Sequence, residues 1–140
     1  MMREPGDYIV GLRHVGIVTR DLDGTVERLR EIFGLPEEDI VRLDGGETRF
    51  AFFSIGGTPY EAIEPVSERF REILLKTNTG TNHVAYNVSD LEGAVAAMRS
   101  KGVRLGHVTP TGIVAAPDFK MAYFDPADTA GVLIEFVEAR

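Results

Sequence analysis

His83-Val84-Ala85-Tyr86-Asn87-Val88-Ser89-Asp90-Leu91-Glu92-Gly93 repeats a stretch that the chain has already used as His14-Val15-Gly16-Ile17-Val18-Thr19-Arg20-Asp21-Leu22-Asp23-Gly24. Set 69 positions apart, the copies share His, Val, Asp, Leu and Gly in register, and Val26 with Val95 and Arg30 with Arg99 extend the match. Internal repetition of this kind marks a chain built from duplicated supersecondary units. Working outward from each copy, the residue pattern gives the same order of elements twice.

In the first copy, residues 8 to 18 are short, apolar and rich in β-branched side chains, which predicts a strand carrying His14. Asp21 offers an N-cap, Leu22, Val26, Leu29 and Phe33 share a helical face, and Gly34 supplies the stop. Strands are expected over Asp39 to Leu43, Thr48 to Ile55 and Tyr60 to Glu64, separated by Asp44-Gly45-Gly46-Glu47 and Gly56-Gly57-Thr58-Pro59. Ser67 can cap a linking helix over 67–76 with Phe70, Ile73 and Leu74 inward, and Lys76-Thr77-Asn78-Thr79-Gly80-Thr81 restarts the motif. The second copy then gives a strand over Val84 to Val88, a helix over Asp90 to Lys101, and strands over Val103 to Val108, Lys120 to Phe124 and Val132 to Glu138.

The expected fold is α+β: one domain over 1–140 made of two tandem βαβββ modules, about 8–65 and 82–138, forming a half-open curved mixed sheet around a metal cleft. The offset grows from 71 at Thr58 and Thr129 to 74 at Glu61 and Glu135, a three-residue insertion in the second module's last turn.

The 140 residues, 44% hydrophobic, are enough for a real core. A formal charge of −7 speaks against a nucleic-acid groove or an anionic membrane surface as partner. With no cysteine the chain can have no disulfide, zinc-thiolate site or thiol nucleophile, in keeping with a reducing compartment. The start, Met1-Met2-Arg3-Glu4-Pro5-Gly6-Asp7, does not read as a secretory signal, and no run approaches a membrane span, so a soluble cytoplasmic protein is expected.

Each half places one histidine on its first strand and one glutamate on its last. A lone strand His is most often a hydrogen-bonded core group and a strand Glu a solvated one. Four such residues at equivalent repeat positions argue instead for a joint role. His14, Glu61, His83 and Glu135 supply two imidazoles and two carboxylates, a donor set for Zn²⁺, Co²⁺, Ni²⁺, Mn²⁺ or Fe²⁺. Such an ion keeps positions open for a small chelating substrate and acts on it as a Lewis acid. Glu64 and Glu138 are read as solvent-facing charges, and His107, unmatched in the first half, as a bystander.

The His-Val-Gly-Ile and His-Val-Ala-Tyr openings, with Gly131-Val132-Leu133-Ile134-Glu135 near the end, resemble the vicinal-oxygen-chelate (glyoxalase and bleomycin-resistance) superfamily. Within it the chain is most similar to the methylmalonyl-CoA epimerase family, through Thr58-Pro59-Tyr60-Glu61-Ala62-Ile63-Glu64-Pro65, Gly80-Thr81-Asn82-His83 and the segment from Phe124 to Glu135. The resemblance implies metal ligands at His14, Glu61, His83 and Glu135, a homodimer, and epimerisation of a 2-carboxyacyl-CoA thioester through an enolate. It also shows two departures. Phe50 stands where that family carries an acid-base glutamate, leaving Glu47 and Asp44 as the nearest carboxylates, with Glu47 the candidate base beside Glu61 and Glu135. Pro117-Asp118-Phe119-Lys120 replaces a Gly-Gly-Lys patch, so Lys120 alone remains to meet the thioester's phosphates. Three other chemistries fit the same pattern. A glyoxalase I-type lyase would shuttle the proton through its metal-bound glutamates, an Fe²⁺ dioxygenase would use His14, His83 and Glu135 with Glu61 idle, and a metal-free binding protein would need none of the four.

Overall fold

In the computed structural model, which describes residues 3–76 and 79–140, the repeat becomes two copies of one unit order. The first runs β1 (Ile9–Val18), α1 (Leu22–Phe33), β2 (Val41–Asp44), β3 (Thr48–Ile55) and β4 (Thr58–Pro65); α2 (Glu68–Leu74) follows. The second runs β5 (Gly80–Val88), α3 (Leu91–Ser100), β6 (Val114–Ala115), β7 (Phe119–Tyr123) and β8 (Ile134–Ala139). The fold is α+β, with βαβββ twice over. Thr77 and Asn78, in the loop expected to restart the motif, lie outside the described residues, as do Met1 and Met2. Among the described residues no helix is long and apolar enough to cross a membrane.

The chain divides into two compact units, His14–Asn82 and the N-terminal segment through Arg13 with His83–Arg140. In the first, the strand order is β2-β3-β4-β1, with β1 parallel to β4 and the other neighbours antiparallel. In the second it is β5-β8-β7-β6, again with one parallel pair, β5 with β8. Parallel pairing of first and last strands is what a helical crossover after the first strand imposes.

The helices start alike for a reason visible in the repeated Asp-Leu-x-Gly. Asp21 and Asp90 are N-caps whose carboxylates accept from the backbone N–H of Gly24 and Gly93 at 3.0 and 3.1 Å. A Cβ on those glycines would fall 2.3 and 2.5 Å from the capping carboxylate, so a larger residue would displace the cap. Gly34, at φ 66°, ends α1 in the left-handed conformation expected of it.

Each helix covers one face of its own unit's strands. Leu22 and Val26 pack on Ala51, Phe53 and Ala62, while Leu91, Ala94, Val95 and Met98 pack on Ala122, Phe124 and Phe136. Burial of each larger side chain contributes roughly 1.5–3 kcal/mol. On the first unit's opposite face Leu74 of α2 closes over Val18 and Ile63. The N-terminal segment belongs to the second unit: Tyr8 and Ile9 join the α3 core, and the Tyr8 carbonyl accepts from Ser89 N–H at 2.9 Å.

One strand differs from expectation. Val103 to Val108 is irregular, joined to Phe124 by a single bridge at Leu105 and turning at His107 and Val108, and the edge strand is the two-residue β6 further on. The backbone at Gly106 runs so close to Phe124 that a Cβ would sit 2.7 Å from the Phe124 carbonyl oxygen, and Pro110 has no N–H to give a ladder. The three extra residues before Glu135 fall in the turn region that holds the 3₁₀ turn Pro126–Asp128.

Candidate metal and acid-base site

The equivalence of the histidines and glutamates is structural as well as sequential. Glu61 is the register partner of Gly16 on β1 and Glu135 that of Ala85 on β5, so in each unit the histidine lies two residues before the glutamate's neighbour and on the same face. His14 Nε2 stands 3.6 Å from Glu61 Oε1, and His83 Nε2 stands 3.4 Å from Glu135 Oε1. The second pair is deeper: His83 is 2% exposed and Glu135 5%, against 7% for His14 and a half-buried Glu61.

These pairs fit a divalent cation. Nitrogen and oxygen bonded at right angles to one ion at ~2.1 Å lie about 3 Å apart, close to both separations. Imidazole with carboxylate is also a donor set that takes borderline and harder divalent ions.

A third polar group, unforeseen from the sequence, attends the second pair. Tyr123, 6% exposed, places its hydroxyl 3.2 Å from His83 Nε2, with its ring edge-on to the imidazole at 5.2 Å. It is the register partner of Glu135 on the neighbouring strand, and Phe52 holds the same place beside Glu61. That 71-residue offset was readable from the sequence at Thr58 and Thr129 and, carried back to Phe52, would have found Tyr123. Buried Thr109 pins the tyrosine backbone. Its hydroxyl accepts from Tyr123 N–H at 2.8 Å and donates to the Tyr123 carbonyl at 3.2 Å.

Glu64 and Glu138 are not the solvated charges expected. They are half-buried and accept from the first helical N–H of Leu22 and Leu91, both at 2.7 Å, satisfying donors that a helix N-terminus leaves open. Each is also paired in register with a cation: Arg49 with Glu64, and Lys120 with Glu138. Lys120 Nζ donates to both Glu92 oxygens at 2.7 and 2.8 Å and lies 3.4 Å from Glu138. The Glu92 hydrogen bond raises the Lys120 pKa and, reciprocally, Lys120 lowers that of Glu92. Lys120 thus has the local partners that Arg49 finds in Asp23 and Glu64.

Glu47 is exposed in the turn before β3; its carbonyl accepts from Val66 and Ser67 N–H. Asp44, also exposed, accepts from Gly46 N–H. Phe50 is half-buried and stacked on Phe52 at 6.1 Å between centroids. His107 is exposed.

Residues 13–123 match the sequence profile of the Glyoxalase/Bleomycin resistance protein/Dioxygenase superfamily. The chain belongs to this superfamily. Among its relatives, the mitochondrial methylmalonyl-CoA epimerase of Dictyostelium discoideum is 28% identical over 131 residues, 91% of this chain and 77% of that protein. The crystal structure of methylmalonyl-CoA epimerase from Mycobacterium tuberculosis is similar with a TM-score of 0.72 at 27% identity, covering 95% of this chain and 90% of that one. Streptomyces coelicolor methylmalonyl-CoA epimerase in complex with 2-nitronate-propionyl-CoA gives 0.71 at 27% identity, covering 93% and 94%. Membership in the superfamily accounts for the doubled βαβββ plan.

Proposed function

We propose that this protein is a metal-dependent epimerase or related isomerase that moves a proton at the carbon next to a thioester carbonyl, with a methylmalonyl-type CoA thioester as substrate. In this reading His14, Glu61, His83 and Glu135 are the ligands of one divalent ion. The observation that carries it is the recurrence of a His–Glu pair at repeat-equivalent strand positions, 3.6 and 3.4 Å apart, in a chain whose relatives include methylmalonyl-CoA epimerases.

When bound, the ion supplies Lewis acidity toward two neighbouring substrate oxygens. The chain's own groups supply the rest. Glu61 and Glu135 are the carboxylates nearest the reacting carbon in this assignment, and Glu47 is the further candidate base. A proton removed by one group and returned by another on the opposite face gives inversion. Lys120 is the candidate for the thioester's phosphates, and to serve them it must leave Glu92.

One observation favours a second reading. Phe50 is apolar and stacked on Phe52, whereas both pairs carry a glutamate of their own, the arrangement a glyoxalase I-type lyase needs to shuttle a proton through its metal-bound carboxylates. Incubation of cobalt-loaded protein in D₂O with methylmalonyl-CoA and, separately, with the hemithioacetal of methylglyoxal and glutathione decides between them. Deuterium entering the first substrate is the expected result. Turnover of the second alone transfers the assignment to the lyase, and reaction of neither removes both.

We further propose a homodimer acting in the cytoplasm, the setting that a cysteine-free chain fits. Val41 and Leu43 on the outer strand β2 are 61% and 55% exposed, an apolar edge of the kind proteins cover by pairing. Sedimentation at micromolar concentration that shows only a 15.4 kDa species would refute the dimer.

A further inference from the structure

The two units differ at one position beside their His–Glu pairs. Phe52 flanks Glu61 with a ring that has no hydrogen-bonding atom, and Tyr123 flanks Glu135 with a hydroxyl. That hydroxyl is buried, and its backbone is held on both sides by the Thr109 side chain. The clamp replaces a strand. β6 pairs only with Lys120 and Met121, so the ladder has ended before Tyr123, and Gly106 N–H supplies a second bond to the Tyr123 carbonyl at 2.8 Å. Three separate contacts therefore fix the level at which this hydroxyl meets the site.

We infer that Tyr123 is a ligand-positioning residue: its hydroxyl donates to an oxygen of the ligand bound beside His83 and Glu135, a donor that Phe52, at the equivalent place beside Glu61, does not offer. The inference rests on the metal assignment proposed above. The hydroxyl and Glu135 Oε1 both lie near one atom, His83 Nε2, at 3.2 and 3.4 Å. A metal ligand must offer that nitrogen's lone pair, which the hydroxyl takes when it is the donor. Once the lone pair is committed elsewhere, the hydroxyl turns from it, and an oxyanion held beside Glu135 is the acceptor that a buried phenol rewards most.

Two consequences separate this role from packing. In the metal-free protein Tyr123 competes with the metal for His83, so its removal does not weaken metal binding. In the loaded protein it favours an oxygen ligand over a nitrogen or apolar one. The ligand class is a small carboxylate or enolate-like oxyanion with two adjacent oxygens, one of them turned to the β7 side.

The test uses the full chain, Co²⁺ as metal and oxalate as the oxygen ligand. Tyr123→Phe keeps the ring and its edge contact with His83; Thr109→Val leaves the hydroxyl in place but releases its backbone. Cobalt affinity is measured by calorimetry, and oxalate binding to the loaded protein by the change in the cobalt visible bands. The expected result for Tyr123→Phe is cobalt binding at least as tight as the parent's and oxalate affinity lower by roughly ten- to a hundred-fold, the weight of a hydrogen bond to a charged group. Thr109→Val gives a smaller loss of oxalate affinity with cobalt affinity retained. Oxalate affinity within about two-fold of the parent's in Tyr123→Phe overturns the inference and leaves the metal assignment standing. A parent protein that binds no cobalt overturns the assignment and the inference together.

Discussion

The second unit's pair, His83 with Glu135, is the more deeply buried and is attended by a tyrosine; the first unit's pair, His14 with Glu61, is more open and attended by a phenylalanine. Both descend from one pattern, and both keep the imidazole and carboxylate within 3.6 Å. What the duplication preserved is the donor set and its register. What it released is the surround, where each copy could acquire its own polarity and depth.

The largest expected effect of this difference is on stability without metal. His83→Ala removes a side chain from a 2% exposed position and takes away a group 3.4 Å from a buried carboxylate, at a cost of about 2–4 kcal/mol. His14→Ala opens a shallower position whose carboxylate partner keeps some contact with water, and about half that loss is expected. Urea unfolding of both variants in chelator-treated buffer gives the comparison directly. Equal losses, or a larger one for His14→Ala, would show that burial does not distinguish the pairs.

The repeated His…Asp-Leu-x-Gly stretch exposed the doubled plan and most element boundaries, because caps, glycine stops and apolar periodicity are local and leave their mark within a few residues. The pairing of His with Glu in each unit was legible for the same reason, once the repeat set the frame. What stayed hidden depended on distant residues. Glu64 and Glu138 read as surface charges until the fold brought the last strand of each module against the first turn of its helix, 42 and 47 residues away. The strand expected at Val103 survives only as the bridge between Leu105 and Phe124, beside a close approach of Gly106 to the Phe124 backbone that no local pattern announces. Tyr123 needed register, which is set by pairing between strands.

The smallest expected effect lies in the ion networks at the helix starts, where the first unit uses Arg49 and the second Lys120. A guanidinium keeps its charge throughout the accessible pH range, whereas an ammonium does not. The Glu92 hydrogen bond raises the folded-state pKa of Lys120, so its contribution is fully present below the ordinary lysine pKa and is lost as pH rises through the raised one. The Lys120 hydrogen bond also lowers the folded-state pKa of Glu92, so on the acid side the same network is fully present above the ordinary carboxylate pKa and is lost as pH falls through the lowered one. Lys120→Arg should therefore match the parent at acid and neutral pH and pull ahead of it only as the solution becomes strongly alkaline. Subtracting the two urea midpoints at each pH cancels the other lysines and the tyrosines, which titrate in both proteins. Because Glu92 is exposed, the gain is small and shrinks in high salt. A difference already present at neutral pH would mean that the guanidinium packs differently against Glu92 and Glu138, and that the two units' networks are not the equivalents their register makes them.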